Sequence, residues 1–470
     1  MLAVSWALTW AAHCGVRHAL RTANVVLLLA SAIFYFWGEG KGILILLGSI
    51  AANYLLGLAL ERADGRAWRR SLLAVAIISN LSALGMFKYA AFGARCANGV
   101  FGLSLHVPAI ALPLGISFYT FQAMSYVIDI YRGDIKAQRS LMDFACYISM
   151  FPQLVAGPIV RYSDIAEALK CRDIGLCAVA SGMRRFLVGL ARKVVIANVA
   201  ADFADCAWKM VSAGQGLPAA YAWLALVCYT LQIYFDFSGY SDMAIGIGRM
   251  LGFEFPENFN YPYVSKSIRE FWRRWHITLS NWFRDYLYIP LGGSRCSVAR
   301  ACLNGLIVFT LCGLWHGASV MFLLWGLWHG LFIITERLCP WRLGDSLGVA
   351  LLGRIRTLAT VMIGWILFRS ESLSEARLFV KSLLGSAVVA PQTKTLAIEA
   401  NPLLLSVVAI GALLASGAAA CARKKMRAMF ASRFPAALNA TEWTVATVGA
   451  LVALLLVSGG SYNPFIYFRF

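Results

Sequence analysis

The chain has 470 residues, 60% of them hydrophobic and only 14% charged, with a mean hydropathy of +0.68. A water-soluble protein of that length would expose far more charge, so the composition excludes an ordinary soluble enzyme. The net charge of +19 lies in short basic blocks between apolar runs, the pattern of cytoplasmic loops beside anionic lipid and not of a nucleic-acid-binding surface.

In lipid every backbone amide must be satisfied within the protein, so apolar runs of about twenty residues read as helices crossing a core of about 30 Å. Such runs begin near residues 2–16 and continue at 23–37, 42–60, 72–92, a weaker 100–119, 144–160 and 177–200. Residues 219–251 read as one broken or tilted helix, and 301–336 is long enough for two. Runs at 355–368, 403–421 and 443–456 complete the series. The pattern predicts an all-α polytopic membrane protein with about 11–13 transmembrane or re-entrant helices, in a single integral membrane domain over 1–470. The first twelve residues lack a basic lead and His13 precedes Cys14, which does not read as a cleaved signal. The twelve cysteines lie mostly in apolar runs (Cys146, Cys228, Cys312, Cys421) without a Cys-x-x-Cys pair, so neither a disulfide framework nor a metal site is expected.

Basic blocks at 62–70, 184–193, 266–300 and 423–433 read as cytoplasmic by charge bias. In the third, Phe271, Trp272, Trp275, Trp282 and Phe283 are interleaved with bases, at spacings that predict a helix with one aromatic face in the membrane interface. Interfacial anchoring accounts for the arginines but not for His276, Asn281 and Asp285 among them. Breakers gather mid-chain: Pro113 and Gly115, Pro152, Gly157–Pro158, and Pro262 between Tyr261 and Tyr263. Broken backbone at membrane depth is tolerated where it lines a cavity or is buried in protein, so a funnel or re-entrant region is expected.

Gln232, Asp236 and Tyr240, at i, i+4 and i+8, would form one polar stripe on a helix. A carboxylate in lipid costs roughly 2.5–3.5 kcal/mol on insertion scales. Asp236 should therefore pair with a nearby arginine, orient a catalytic histidine, or do both, while Asp242 could sit near the surface. His316 lies in an apolar stretch as Leu-Trp-His-Gly. A histidine there is often a satisfied group between helices, but imidazole can also take a proton from a hydroxyl and return it near neutral pH. His329 repeats the tetrapeptide thirteen residues on. On one continuous helix that spacing turns about 220° past whole turns, so His329 reads as structural and His316 as the base. His276 ends Phe-Trp-Arg-Arg-Trp-His, and Arg273 or Arg274 would suit a donor phosphate. No Gly-x-Ser-x-Gly elbow, Walker loop, dinucleotide fingerprint or His-Glu-x-x-His occurs, which argues against serine hydrolases, NTP-driven pumps and zinc proteases.

Longer motifs narrow the reading. Asp-Phe-Ser-Gly-Tyr-Ser-Asp-Met-Ala-Ile-Gly (236–246), Glu-Asn-Phe-Asn (257–260), Glu-Phe-Trp-Arg-Arg-Trp-His (270–276) and Gly-Leu-Trp-His-Gly-Ala (313–318) follow one another in order. Leu-Pro-Leu-Gly-Ile-Ser-Phe-Tyr-Thr-Phe-Gln (112–122) and Phe-Pro-Gln-Leu-Val-Ala-Gly-Pro (151–158) precede them. Together they resemble the membrane-bound O-acyltransferase family, and within it the bacterial branch that acetylates exported polysaccharides such as alginate or peptidoglycan. The likeness is firm over a core of 112–336, with 1–111 and 337–470 as flanking helices.

The resemblance implies a ring of helices around a central, extracytoplasmic funnel. It implies that His316 and His276 are the catalytic histidines. Gln232, Asp236, Tyr240, Arg273, Arg274, Trp275 and Asn281 are the candidate substrate-binding residues around them. It implies no permanently bound cofactor: acetyl-coenzyme A or an acetyl-carrier protein would come as donor substrate from the cytoplasm. A periplasmic acetyltransferase partner and a multi-pass place in the bacterial inner membrane are expected with it, and no nucleic acid. The competing readings are a conduit that passes acetyl donor without bond chemistry, and a scaffold for a periplasmic partner.

Overall fold

The structure is a computed structural model that describes residues 17–459 apart from 109, 173, 340–345, 390–393 and 431. The span expected at 2–16, with His13 and Cys14, lies outside the described residues. Among them every regular element is helical, and the one β-bridge joins Gly216 to Val389. Five helical stretches are long and apolar enough to cross a bilayer: Leu20–Arg62, Arg66–Phe101, Val298–His316, Gly348–Arg369 and Pro435–Ser458. A bent pair, Pro402–Ala415 and Ala418–Phe430, would make a sixth, with 60° between its halves.

The other apolar runs form shorter or interrupted helices, for local reasons. In the run 100–119 the helix stops at Phe101, because Gly102 turns left-handed (φ 63°), and regular structure resumes only at Ile116. Gly115 makes that restart possible: it has φ 73°, and a Cβ there would lie 2.4 Å from the Leu154 carbonyl oxygen. The run 144–160 breaks after Ser149, with Pro152 in the short helix Phe151–Leu154 and irregular chain beyond.

Contacts divide the chain into two units, Met1–Met183 with Ala244–Glu257, and Arg184–Met243 with Asn258–Phe470. The first is held by buried polar pairs as well as apolar packing. Asn53 and Asn80 exchange amide hydrogen bonds of 2.7 and 3.2 Å. Arg172 donates to Asn24 Oδ1 (2.7 Å) and lies 4.5 Å over the Phe253 ring.

The second unit carries both candidate histidines, His276 and His316, and the polar stripe Gln232, Asp236 and Tyr240. Ala219–Met250 is one continuous helix, not a broken one, so Gln232, Asp236 and Tyr240 do share a face. The stretch 301–336 is two helices, Val298–His316 and Val320–Leu338, capped by Ser297 and Ser319. They approach backbone to backbone at Gly313 and Gly326. A Cβ on Gly326 would meet the Phe309 carbonyl oxygen at 2.3 Å, and one on Gly313 that of Phe322 at 2.3 Å.

The expected amphipathic interfacial helix over 266–284 is corrected. The chain breaks at Trp275–His276 into two short helices, Ile268–Arg274 and Ile277–Phe283. Their aromatics face protein rather than lipid: Phe271, Trp272, Trp275, Trp282 and Phe283 are all buried. The reason is tertiary. Asn260 N–H donates to Arg274 C=O and Ile277 N–H to Asn258 C=O, both at 2.9 Å, which pins 258–260 against the break.

Candidate active site

His316 is the last residue of its helix, with extended Gly317 after it. A Cβ at 317 would fall 2.1 Å from the Phe322 ring, so any larger residue there would have to displace that ring. The turn thus places an imidazole at a helix tip. Three aromatic rings meet it edge to face, Trp315 at 4.9 Å, Trp325 at 5.0 Å and Phe368 at 5.3 Å between centroids. His316 keeps 6% exposure within that enclosure.

His276 also neighbours Trp315, 6.2 Å from the indole centroid, with Phe237 at 4.7 Å. The two histidines that the sequence motifs single out therefore share one indole as a neighbour. His276 has φ 41°, and among the described residues only it and Tyr261 hold positive φ without being glycine. Such a conformation costs of order 1–3 kcal/mol and persists only where its surroundings fix it. Here the two backbone bonds to 258–260 do so, together with a 3.0 Å bond from His276 Nδ1 to Asn258 Oδ1. The ring is fully buried, and it lies outside the candidate spans. Burial pushes its pKa down from 6.5 to about 3, so the imidazole is neutral at any physiological pH.

The polar stripe behaves as ion-pair chemistry predicts. Asp236, 3% exposed, pairs with Lys193 Nζ at 2.6 Å. Lys193 also donates to Asn198 Oδ1 (3.1 Å) and lies in a π-helical turn, Arg192–Asn198, of the kind that often marks functional positions. Asp242 is half-buried and holds Arg185 (2.9 Å) and Arg192. Gln232 is buried, and its Oε1 has no hydrogen-bond partner among the described residues. Tyr240 is half-buried on the same helix.

The remaining candidates separate. Trp275 is committed to packing, stacked 5.6 Å from Phe271 and tilted 5.0 Å from Trp365. Arg274 is tied to Glu270 (2.9 Å) and to the Asn260 carbonyl (3.2 Å), whereas Arg273 is exposed. Asn281 is half-buried on Ile277–Phe283. His329 is fully buried among Phe271, Trp272 and Trp325, and neither ring nitrogen has a partner among the described residues. Because two helices carry the pair, His329 and His316 both contact Trp325, which continuous-helix geometry did not foresee. Asn258, Lys193, Trp325 and Phe368 were not singled out from sequence. Asn258 was visible inside Glu-Asn-Phe-Asn, but Lys193 was masked by the topological reading of its basic block.

The sequence model of the membrane-bound O-acyltransferase family matches residues 135–341, which include both histidines. The chain is 39% identical over 472 residues to "Probable alginate O-acetylase AlgI" of Pseudomonas putida, covering 96% of this chain and 95% of that protein. It is 44% identical over 365 residues to the protein of that name in Pseudomonas aeruginosa (76% and 68% covered). To the peptidoglycan O-acetyltransferase of Helicobacter pylori it is 34% identical over 388 residues (76% and 73% covered). With several membrane-length helices and a histidine pair inside the matched segment, the chain belongs to the membrane-bound O-acyltransferase family and is an integral membrane acyltransferase.

Proposed function

We propose that this chain is an O-acetyltransferase of the bacterial inner membrane. It takes acetyl from a cytoplasmic thioester, coenzyme A or a carrier protein, and delivers it to hydroxyls of an exported polysaccharide, directly or through a periplasmic acetyltransferase. The observation that carries this reading is the pair of imidazoles, His276 and His316, that share the Trp315 indole as a neighbour at 6.2 and 4.9 Å between centroids. The names of the relatives, for alginate and peptidoglycan acetylation, support a two-carbon acyl group and a glycan acceptor.

In the transfer, His316 takes the proton from the acceptor hydroxyl as its oxygen attacks the thioester carbonyl. The ester C–O bond forms, the C–S bond breaks, and the proton passes to the departing thiolate, leaving the imidazole neutral. Three aromatic edges around a ring only 6% exposed keep bulk water away, which favours transfer over hydrolysis. Exposed Arg273 is free of the packing that holds Trp275 and suits a donor phosphate.

The test uses purified protein in sealed vesicles with labelled acetyl-coenzyme A outside and a soluble glycan acceptor inside. Free coenzyme A outside with acetyl ester inside supports the reading. Intact donor crossing the membrane, with no thiol released, makes the chain a conduit instead.

A further inference from the structure

Asn258 is 1% exposed, and its Oδ1 faces three groups: His276 Nδ1 at 3.0 Å, Thr278 Oγ1 at 2.9 Å and Thr278 N at 3.3 Å. The last of these is a backbone N–H, which can only donate. It therefore fixes which end of the amide is oxygen, a choice that the two ends' similar shape would otherwise leave open. The other end agrees, since Nδ2 donates to Ser241 Oγ at 3.2 Å. With oxygen facing His276, Nδ1 must carry the proton, because a bare Nδ1 would set two lone pairs against each other at 3.0 Å. A neutral imidazole protonated at Nδ1 is bare at Nε2, and His276 Nε2 has no hydrogen-bond partner among the described residues although the ring is fully buried. An acceptor nitrogen left unpaired in such a place costs free energy unless another molecule supplies the donor.

We propose that Asn258 is a positioning residue that locks His276 in the Nδ1-protonated tautomer, so that Nε2 presents a lone pair to a proton-bearing group of the substrate. The assignment rests on the acetyl-transfer reading for what that group is. Of the reacting groups the thioester carries no N–H or O–H and the acceptor carries several hydroxyls, so Nε2 accepts a hydrogen bond from an acceptor hydroxyl next to the one whose proton His316 takes. The same geometry rules out His276 as a hydrogen-bond donor to the thioester oxygen, because the only N–H of the ring is spent on Asn258. Ser241 holds the far end of the amide and completes the chain Ser241–Asn258–His276.

The experiment reads the tautomer and the activity separately. Protein labelled with 15N-histidine in lipid nanodiscs is compared with His276→Gln to assign the His276 signals. The expected wild-type pattern is a protonated, pyrrole-type Nδ1 and a bare, pyridine-type Nε2. Asn258→Asp keeps an acceptor and should keep both the pattern and measurable transfer. Asn258→Leu removes it and should lose the pattern, with transfer reduced on the order of 10²-fold, the usual cost of a misplaced reactive geometry. A wild-type His276 protonated at Nε2 overturns the proposal, as does a folded Asn258→Leu protein with unchanged tautomer and transfer. Should the wild type carry the expected tautomer yet transfer no acetyl to any hydroxyl, the acetyl-transfer reading fails while the tautomer assignment stands.

Discussion

Replacing Gly326 by alanine tests the packing that carries His316. The added Cβ would lie 2.3 Å from the Phe309 carbonyl oxygen and 3.2 Å from Gly313 Cα, both rigid backbone atoms. Restoring the oxygen contact to the ordinary 3.4 Å requires the two helices to part locally by about 1 Å, and overpacking of this kind costs typically 1–3 kcal/mol. Trp325 is the adjacent residue and its ring lies 5.0 Å from His316, so the shift is passed to the imidazole's enclosure. A displacement of about 1 Å in a reactive geometry can cost 10²-fold in rate. Gly326→Ala should therefore lower the thermal unfolding midpoint in detergent and reduce acetyl transfer more than stability alone would. Gly348→Ala is the control, since a Cβ there meets nothing within 4 Å, and it should be neutral or slightly stabilising. Wild-type stability and transfer in Gly326→Ala would refute the backbone contact between these helices.

His316→Ala should insert and fold normally while losing acetyl transfer by on the order of 10²–10⁴-fold; unchanged turnover of labelled donor would remove His316 from the reaction. Lys193→Met removes the ammonium paired with the buried Asp236 carboxylate and should cost about 3–5 kcal/mol in denaturant unfolding. The double variant Lys193→Met/Asp236→Leu should recover much of that loss, and additive losses would mean that the pair is not coupled. For His276 the folded pKa of about 3 lies below the ordinary 6.5, so the unfolded chain binds the proton more tightly and stability falls as pH drops from about 6.5 toward 3. His276→Gln should flatten that acid limb in pH-dependent thermal unfolding, and an unchanged limb would assign the loss to other groups.

The all-helical membrane class was legible because it depends only on composition and run length. The polar stripe on Ala219–Met250 was legible because i+4 spacing is local. What stayed hidden was set by contacts distant in sequence. Periodicity made 266–284 one helix, and nothing nearby announces that residues 258–260 hydrogen-bond to the break at His276. Its aromatics looked lipid-facing because a membrane interface and a packed core favour the same residue types. Asp236 needed a cation, but its lysine lies 43 positions away in a block explained by topology. His316 and His329 were placed apart by assuming one helix, although Gly317 and the capping Ser319 were signals for two. The nearness of His276 to His316 followed from no spacing rule, and only the likeness to acyltransferases suggested it.

The helix that ends in His316 begins at Val298 and is nineteen residues long. At about 1.5 Å per residue its axis is about 28 Å long, nearly the depth of the hydrocarbon in a bilayer of about 30 Å. Arg300 is in its first turn and the imidazole at its last residue, so for a helix upright in the membrane these two groups stand in opposite leaflets.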